Sequence, residues 1–531
     1  MIKLLDCTLR DGGYVCNWTF GHNSILNIYH KLQMSKVDII ELGYLRDYEM
    51  FSMDRTSIPS VKDVDRIYNI QKNTSAMLVA MIDFGSCKIE NICESRETIV
   101  DGIRLTFKKT RIDDALAFAE AVKAKGYKIF LQPVSIMDYT DAEMIALLKK
   151  IDAFKPYAVS IVDTYGLMFH KDLSRFYKLM DEHLSHDITI GYHPHNSFQL
   201  AYSHAIELIE KESNRDLIID ATVQGMGKDS GNVATELIAY YLNSKDERYD
   251  INYLLEIMKT ELSLISSQPT WGYSLVSFLS CSNKCRTEYA KHLLAKNTLS
   301  IAGINTIISR IEPAKRTTEF HKEYVEQLYR EFQSKDINDE EALFQLQKKI
   351  GNRKVMLLAP GLSIKREYDK LQEYIKRECP VIISVNFPPD GYRADLIFFS
   401  NNQRYGRSVF EIDSIDKKEV ILLTSNIDEN YEMVRGVLNY SSLIENDDYG
   451  VLDNALVLLV KALIRMNVKT VDLAGFDGFT EDGKNDYKAK DLKIKHENVS
   501  EINDRIRQFI RKIKKNINVN FLTTSLYDTQ Y

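Results

Sequence analysis

Short apolar runs recur through the first 225 residues, and stretches of helical periodicity separate them. The runs are IKLLDCTL (2–9), VDIIELGY (37–44), AMLVAMID (76–83), GIRLTF (102–107), KIFLQPVS (128–135), AVSIVDTY (158–165), ITIGYHPH (188–195) and LIIDATVQ (217–224). Each is aliphatic or β-branched with little alternation, which suits a parallel strand buried on both faces. Between them lie segments such as RIDDALAFAEAVKAKG (111–126), with an acidic start and a closing glycine. Eight strand-then-helix units predict a closed (β/α)₈ barrel. An open, doubly wound sheet is the alternative for the same order.

GMGKDSGN (225–232) follows as a Gly-rich turn before the helical NVATELIAYYLN, and helical stretches continue to about residue 312. The segment 313–352 is heavily charged and helical, and reads as a connecting arm. At Lys354 the pattern restarts: KVMLLAPGLS, PVIISVNF (380–387), ADLIFFSNN (394–402), EVILLTS (419–425) and VKTVDLAGFD (468–477) are strand-like, with REYDKLQEYIKR and DNALVLLVKALIRMN as helices between them. The expected α/β organisation is a barrel over 1–265, a helical extension and arm over 266–350, and a doubly wound, Rossmann-like domain over 351–531. No internal repeat relates the halves.

Composition narrows the function classes. A net charge of −6 leaves no basic footprint for nucleic acid. No apolar run of about 18 residues exists to span a membrane. The opening MIKLLDCTLRDGG places acid and arginine where a signal peptide needs an apolar core. Seven scattered cysteines read as reduced thiols, so a cytoplasmic protein is expected. Cys281 and Cys285 have loose metal spacing but no second pair to complete a site.

The polar residues of the eight runs gather at one end. Arg10 and Asp11 follow the first; Glu41 and Gly43 end the second; Asp83, Arg104 and Thr106, Gln132 and Ser135, Asp163 and Thr164, then His193 and His195 continue the series. Barrel enzymes build their sites at the C-terminal ends of strands. His193 and His195, two apart on a strand, share a face. Two imidazoles and a carboxylate, which Asp11 can supply, suit a divalent metal: Mn²⁺, Mg²⁺ or Co²⁺, with Zn²⁺ also compatible. Arg10 offers a fork of donors for a carboxylate or a developing enolate oxygen, or else a salt bridge to Glu41 or Asp163. Asn232 is either a further metal ligand or a helix N-cap.

LLDCTLRDGGY, GYHPHNSFQLA and QGMGKDSGN, in that order, resemble the metal-dependent lyase superfamily with an Asp-Arg-Glu signature on a barrel. That group includes 4-hydroxy-2-oxovalerate aldolase, hydroxymethylglutaryl-CoA lyase and isopropylmalate synthase. The likeness is strongest to the aldolase-like members and covers roughly residues 1–300. It implies metal ligands at Asp11, His193 and His195, an enolate-stabilising Arg10, and Glu41 holding that arginine. It also implies a 2-oxo acid such as pyruvate as one substrate and an aldehyde as the other, in an assembly of at least two subunits. The aldolase pattern has a histidine three residues after the metal aspartate; this chain has Tyr14. The base is therefore not carried over, and Tyr14, a metal-bound water, His22 and Tyr273 are the candidates. An acyl-CoA-dependent Claisen enzyme and a non-catalytic barrel serving the second domain are the rival readings.

IISVNF (382–387), FFSNNQRY (398–405) and VDLAGFDGF (471–479) are similar to a Rossmann-like group related to bacterial sialyltransferases. The similarity implies a nucleotide or nucleotide sugar, held by Gly361, Ser363, Asn386, Asn401, Gly475 and Asp477. APGLS (359–363) would be the turn that approaches phosphate. Together the two resemblances imply a sugar-derived or nucleotide-activated aldehyde and a setting in polysaccharide assembly.

Overall fold

The computed structural model describes the chain except residues 70–74, 212, 266–269, 297, 318, 414–420, 428–433, 445–452, 482–486, 488–497 and 529–531. Glu419 and Val420, which open one expected strand, lie outside the described residues. The chain divides into two compact units, Met1–Thr287 and Glu288–Tyr531.

The first unit holds eight parallel strands: β1 (Ile2–Asp6), β2 (Ile39–Leu45), β3 (Met77–Asp83), β4 (Gly102–Phe107), β5 (Lys128–Pro133), β6 (Ala158–Asp163), β7 (Thr189–Pro194) and β8 (Leu217–Ala221). β1 pairs with β8 through Leu5↔Asp220 and with β2 through Leu5↔Ile39, so the sheet closes on itself. Closure excludes the open-sheet alternative. A two-residue strand, Ser57–Ile58, adds beside the end of β2.

Period-two alternation sorts each strand between two cores. Leu4, Ile40, Leu78 and Ile219 pack outward under the helices, in a large cluster with residues such as Ile28, Leu147 and Phe176. Leu5, Ile39, Val79, Phe130, Ala158 and Ile218 form a separate small cluster, the apolar layer of the barrel interior. Two residues further along, on the same face, stand Cys7, Glu41 and Asp220. The interior therefore changes from apolar to charged one layer before the C-terminal mouth. Among the helices, Asp141–Phe154 starts at a capping box, with the Thr140 hydroxyl on the Glu143 amide and the Glu143 carboxylate on the Thr140 amide.

The second unit is built on a seven-stranded parallel sheet: β9 (Val355–Leu358), β10 (Val381–Val385), β11 (Leu396–Phe399), β12 (Ile421–Thr424), β13 (Val434–Leu438), β14 (Thr470–Ala474) and β15 (Asn518–Phe521). The spatial order is β13-β12-β11-β10-β9-β14-β15, so the progression reverses between β9 and β14. The loops after those two strands meet closely. A Cβ on Gly475 (φ +77°) would lie 2.1 Å from the Ala359 carbonyl oxygen, and one on Gly361 2.3 Å from that of Gly475. Both positions need glycine. The helix Ala455–Arg465 is buried from Leu456 to Leu463, as its nearly all-apolar sequence requires. Of the helix Glu340–Ile350, expected as part of an arm, Leu346 and Ile350 enter the same core as β9 and β10.

Two strands escaped the sequence reading, β13 and β15. Both are sheet edges. An edge strand is half solvated, and the exposed-buried-exposed pattern of Asn518–Asn520 carries none of the apolar run that marks a central parallel strand. Among the described residues, no helix is long and apolar enough to cross a membrane.

Candidate metal centre and active site

Six side chains from the barrel strands and the loops at their ends form a closed ring of charge. Arg10 Nη1 donates to Asp11 (2.8 Å) and Arg10 Nε to Glu41 (2.7 Å). Glu41 faces Arg104 at 2.9 Å. Arg104 donates to Asp220. Asp220 meets His193 Nδ1 at 2.9 Å, and His193 Nε2 returns to Asp11 at 3.2 Å. All six are buried. Charges taken out of water survive only when paired, and here each carboxylate lies between two cationic or protonatable partners. Burial alone would raise the Asp11 carboxyl, yet Arg10 and the two histidines hold it well below the ordinary range. Asp220 is likewise lowered against its burial by Arg104 and His193. Burial pushes His193 toward the neutral ring, but its bonds to Asp11 and Asp220 win and raise it.

Asp11 and His193 are in contact, and His195 stands beside His193. The two rings stand 5.2 Å apart and nearly perpendicular. His195 Nδ1 lies 3.2 Å from the Gly231 carbonyl, which leaves Nε2 for another partner. Burial lowers His195 to about 4, so the ring is neutral and its lone pair available. Asn232 is not an N-cap: Ala234 precedes the helix Thr235–Asn243. Instead Asn232 pairs with His195 in an isolated bridge, and its Nδ2 donates to the Met226 carbonyl at 3.4 Å. Its Oδ1 is buried with no hydrogen-bond partner. Gly227 permits this approach, since a Cβ there would fall 2.2 Å from Asn232 Nδ2. A buried carbonyl oxygen left without a donor, beside a carboxylate and a neutral imidazole, fits a divalent cation.

Among the described residues, one group of three potential ligands lies within 4.8 Å: Cys7, Asp11 and His193. Cys7 is the weakest of them. Its thiol is directed at the Ala221 carbonyl, and burial holds it well above its ordinary pKa, so the proton stays on sulfur. His195 is the better third ligand on chemical grounds.

Arg10 keeps one donor in reserve: with Nε and Nη1 committed, Nη2 is buried without a partner. Its ion pairs run to Glu41 and Asp11 and not to Asp163, whose carboxylate accepts the Leu167 and Met168 amides. Tyr14 sits on the short helix Gly13–Cys16 at the rim, 39% exposed, edge-on to Trp18. Burial of its hydroxyl, then the Asp11 charge, raise the phenol above its ordinary value. Tyr14 therefore holds its proton and is suited to donate one. His22 is hydrogen-bonded to the Ile67 carbonyl (2.8 Å), and Tyr273 is exposed; neither is hydrogen-bonded to a member of the ring.

Sequence reasoning gave Arg104 no role and passed over Asp220. The signal was present in both. A charged residue inside GIRLTF or LIIDA, runs otherwise fit for a doubly buried strand, must be paired within the barrel.

In the second unit, a cavity of about 700 Å³ opens at the C-terminal ends of the strands, and Gly361, Asn386, Asn401, Gly475 and Asp477 line it. Ser363 does not. Its amide and hydroxyl both donate to Asp477, so the turn expected to receive phosphate already holds the chain's own carboxylate. Cationic lining comes from elsewhere, including the buried Arg404.

Residues 1–262 match the family described as HMGL-like. The chain is 22% identical over 244 residues to an oxaloacetate decarboxylase of Mycobacterium tuberculosis, covering 46% of this chain and 70% of that protein. It is 24% identical over 281 residues to a 2-isopropylmalate synthase of Staphylococcus saprophyticus, covering 49% and 52%. The chain thus spans about half the length of the synthase. Among solved structures, the N-terminal domain of a Bacteroides vulgatus protein, provisionally assigned as an aldolase, is 26% identical with a TM-score of 0.48, over 55% of this chain and 96% of that one.

Proposed function

Since residues 1–262 form an HMGL-like domain, we propose that the barrel makes or breaks a carbon–carbon bond next to the carbonyl of a 2-oxo acid, as a metal-dependent aldolase or lyase. The observations that support this are the Asp11–His193 contact, the His195 ring beside His193, and Asn232, paired with His195 through the backbone and carrying an unpartnered oxygen, together with an arginine that has one free buried donor. Asp11, His193, His195 and Asn232 would hold a divalent cation, Mn²⁺, Mg²⁺ or Co²⁺, which when bound supplies Lewis-acid polarisation of the 2-oxo acid.

The chain's own groups do the rest. Arg10 Nη2 donates to the substrate oxygen on which charge develops as the C3 proton passes to solvent water, and Glu41 fixes the guanidinium plane for that contact. C3 then bonds to the carbonyl carbon of the aldehyde, whose oxygen takes up a proton; Tyr14, which holds its phenolic proton, would give it and regain one from solvent water. In the cleaving direction the same hydroxyl proton moves back as the bond breaks. Asp220 and Arg104 touch no substrate; they fix the His193 tautomer so that Nε2 faces Asp11. Asp11→Ala and His193→Ala are expected to lose both metal binding and turnover of 2-oxo acids. Activity retained by either variant would refute the assignment.

For the second unit we propose a Rossmann-like, nucleotide-binding role. The reversal of strand order and a cavity at the strand ends support it, and the volume suits a mononucleotide. The barrel's aldehyde would then be sugar-derived or nucleotide-activated, as in polysaccharide assembly. Seven free cysteines fit a cytoplasmic setting. Calorimetry of the full chain against a panel of nucleotides and nucleotide sugars tests this, and silence across the panel would count against it. The similarity to 2-isopropylmalate synthase favours one second reading, an acyl-CoA-dependent condensation; release of a free thiol from acetyl-CoA would reveal it.

A further inference from the structure

Arg46 follows β2 directly, at the C-terminal mouth of the barrel. Its guanidinium lies 4.2 Å from the ring centre of Trp18 and 4.0 Å from that of Tyr44. Those two rings are buried, forming with Met81 a small apolar cluster apart from both cores of the barrel. Trp18 is tied to the site: its indole nitrogen donates to the Arg10 carbonyl at 2.8 Å, and its ring packs edge-on against Tyr14 at 4.7 Å.

The cation is weakly matched for one so confined. Nε is buried and has no hydrogen-bond partner. The carboxylate paired with it, Glu49, stands 3.8 Å from Nη1, and that same carboxylate binds Arg55 at 2.8 Å; another side-chain partner of Arg46 is the neutral Tyr44 hydroxyl. A guanidinium held against aromatic faces keeps its N–H donors in the plane of the group, where they stay open to a planar or tetrahedral anion. Because the rings fix the plane beforehand, little side-chain freedom is lost on binding. The Arg46 charge also bears on Tyr14, which puts the group at the same rim of the barrel, and on the Asp83 carboxyl, which shares part of that charge. No residue of the charge ring is hydrogen-bonded to it, which separates this locus from the one that holds the 2-oxo acid.

We propose that Arg46 anchors an anionic group, carboxylate or phosphate, on the second substrate, the one joined to or released from the 2-oxo acid. The inference rests on the aldolase reading for its catalytic meaning. It makes Arg46 a specificity-determining residue: the barrel selects acidic aldehydes over neutral ones of equal length.

The test is chosen to need neither metal nor turnover, so its failure is distinct from failure of the reaction itself. The chain has two tryptophans, Trp18 and Trp271. In a Trp271→Phe background Trp18 is the sole reporter, directly beneath Arg46. Full-length protein is titrated at constant ionic strength with glycerol 3-phosphate and with succinate, and with glycerol and 1,4-butanediol as neutral counterparts. A saturable fluorescence change with at least one anion is expected, and which one responds distinguishes phosphate from carboxylate. Arg46→Gln is expected to weaken that affinity at least tenfold, with Arg46→Lys in between. In turnover, Arg46→Gln should raise the KM for the matching acidic aldehyde tenfold or more while changing kcat less than threefold. No saturable response to either anion, an equal response to the neutral compounds, or undiminished affinity in Arg46→Gln would overturn the proposal.

Discussion

Replacing Asp220 by Asn removes one negative charge from the ring and leaves its shape. Arg104, wholly buried, keeps only the Glu41 contact at 2.9 Å, and His193 Nδ1 faces an amide in place of a carboxylate. Breaking a buried pair by removing one partner costs about 3–5 kcal/mol. The amide can still accept one hydrogen bond, which places this change near the low end, ~3 kcal/mol. A ligating histidine that loses its orienting carboxylate is expected to bind metal about 10–100-fold more weakly. Stability is read by urea unfolding with tryptophan fluorescence. Trp18 and Trp271 both lie in Met1–Thr287, so the signal reports the barrel unit. Metal affinity is read by calorimetry with Mn²⁺. The double change Arg104→Met with Asp220→Leu removes a compensating pair, so it should regain much of the lost stability without regaining metal affinity. If Asp220→Asn unfolds within about 0.5 kcal/mol of the parent, the range of an ordinary surface change, and binds Mn²⁺ equally well, the ring is not what organises the site.

Three further outcomes are expected. Gly227→Ala would thrust a methyl group to 2.2 Å from Asn232 Nδ2 and 3.3 Å from Asp11 Oδ1; calorimetry should show Mn²⁺ affinity reduced at least tenfold, and unchanged affinity would remove Asn232 from the ligand set. Tyr14→Phe should lower kcat by about 10²-fold, the low end of general acid–base effects, with metal affinity retained; since the phenol is raised, the parent's rate should show no Tyr14 limb between pH 6 and 8. Burial raises Asp6 to about 6, so between about pH 4 and 6 the folded barrel binds more protons there than the unfolded chain, and stability falls as pH rises through that window. At about 1.4 kcal/mol per pKa unit this one group accounts for ~3 kcal/mol, and the difference between parent and Asp6→Asn unfolding curves at pH 4 and pH 6 measures it.

The barrel was legible because each of its strands is buried on both faces and writes a continuous apolar run. Eight such runs pointed to closure without excluding an open sheet; the pairing of β1 with both β8 and β2 decides it. The candidate ligands were legible for a related reason: Asp11, His193 and His195 stand where the runs end, and a polar residue there breaks the apolar pattern. What the chain did not display was pairing. Glu41, Arg104 and Asp220 come from three strands far apart in sequence, and only closure of the sheet brings them into one layer. The same limit applied to the second sheet, where Asp477 fills the turn expected to meet an anion. Nothing in APGLS or AGFDG alone announces that they bond to each other across 114 residues. Tyr14 was legible as a candidate from its place three residues after Asp11, but its proton affinity depends on burial and on the Asp11 charge, which a one-dimensional pattern does not carry.

The central claim, that this barrel withdraws a proton next to the carbonyl of a 2-oxo acid, is tested most directly by proton–deuterium exchange at the pyruvate methyl group. The full-length protein is incubated in deuterium oxide with pyruvate and Mg²⁺ or Mn²⁺, the metal is chelated, and the methyl signal is followed by NMR. Exchange that requires the metal and disappears in Arg10→Ala is the predicted result. No exchange above the uncatalysed rate, with either metal and with 2-oxobutyrate as well, would contradict the account.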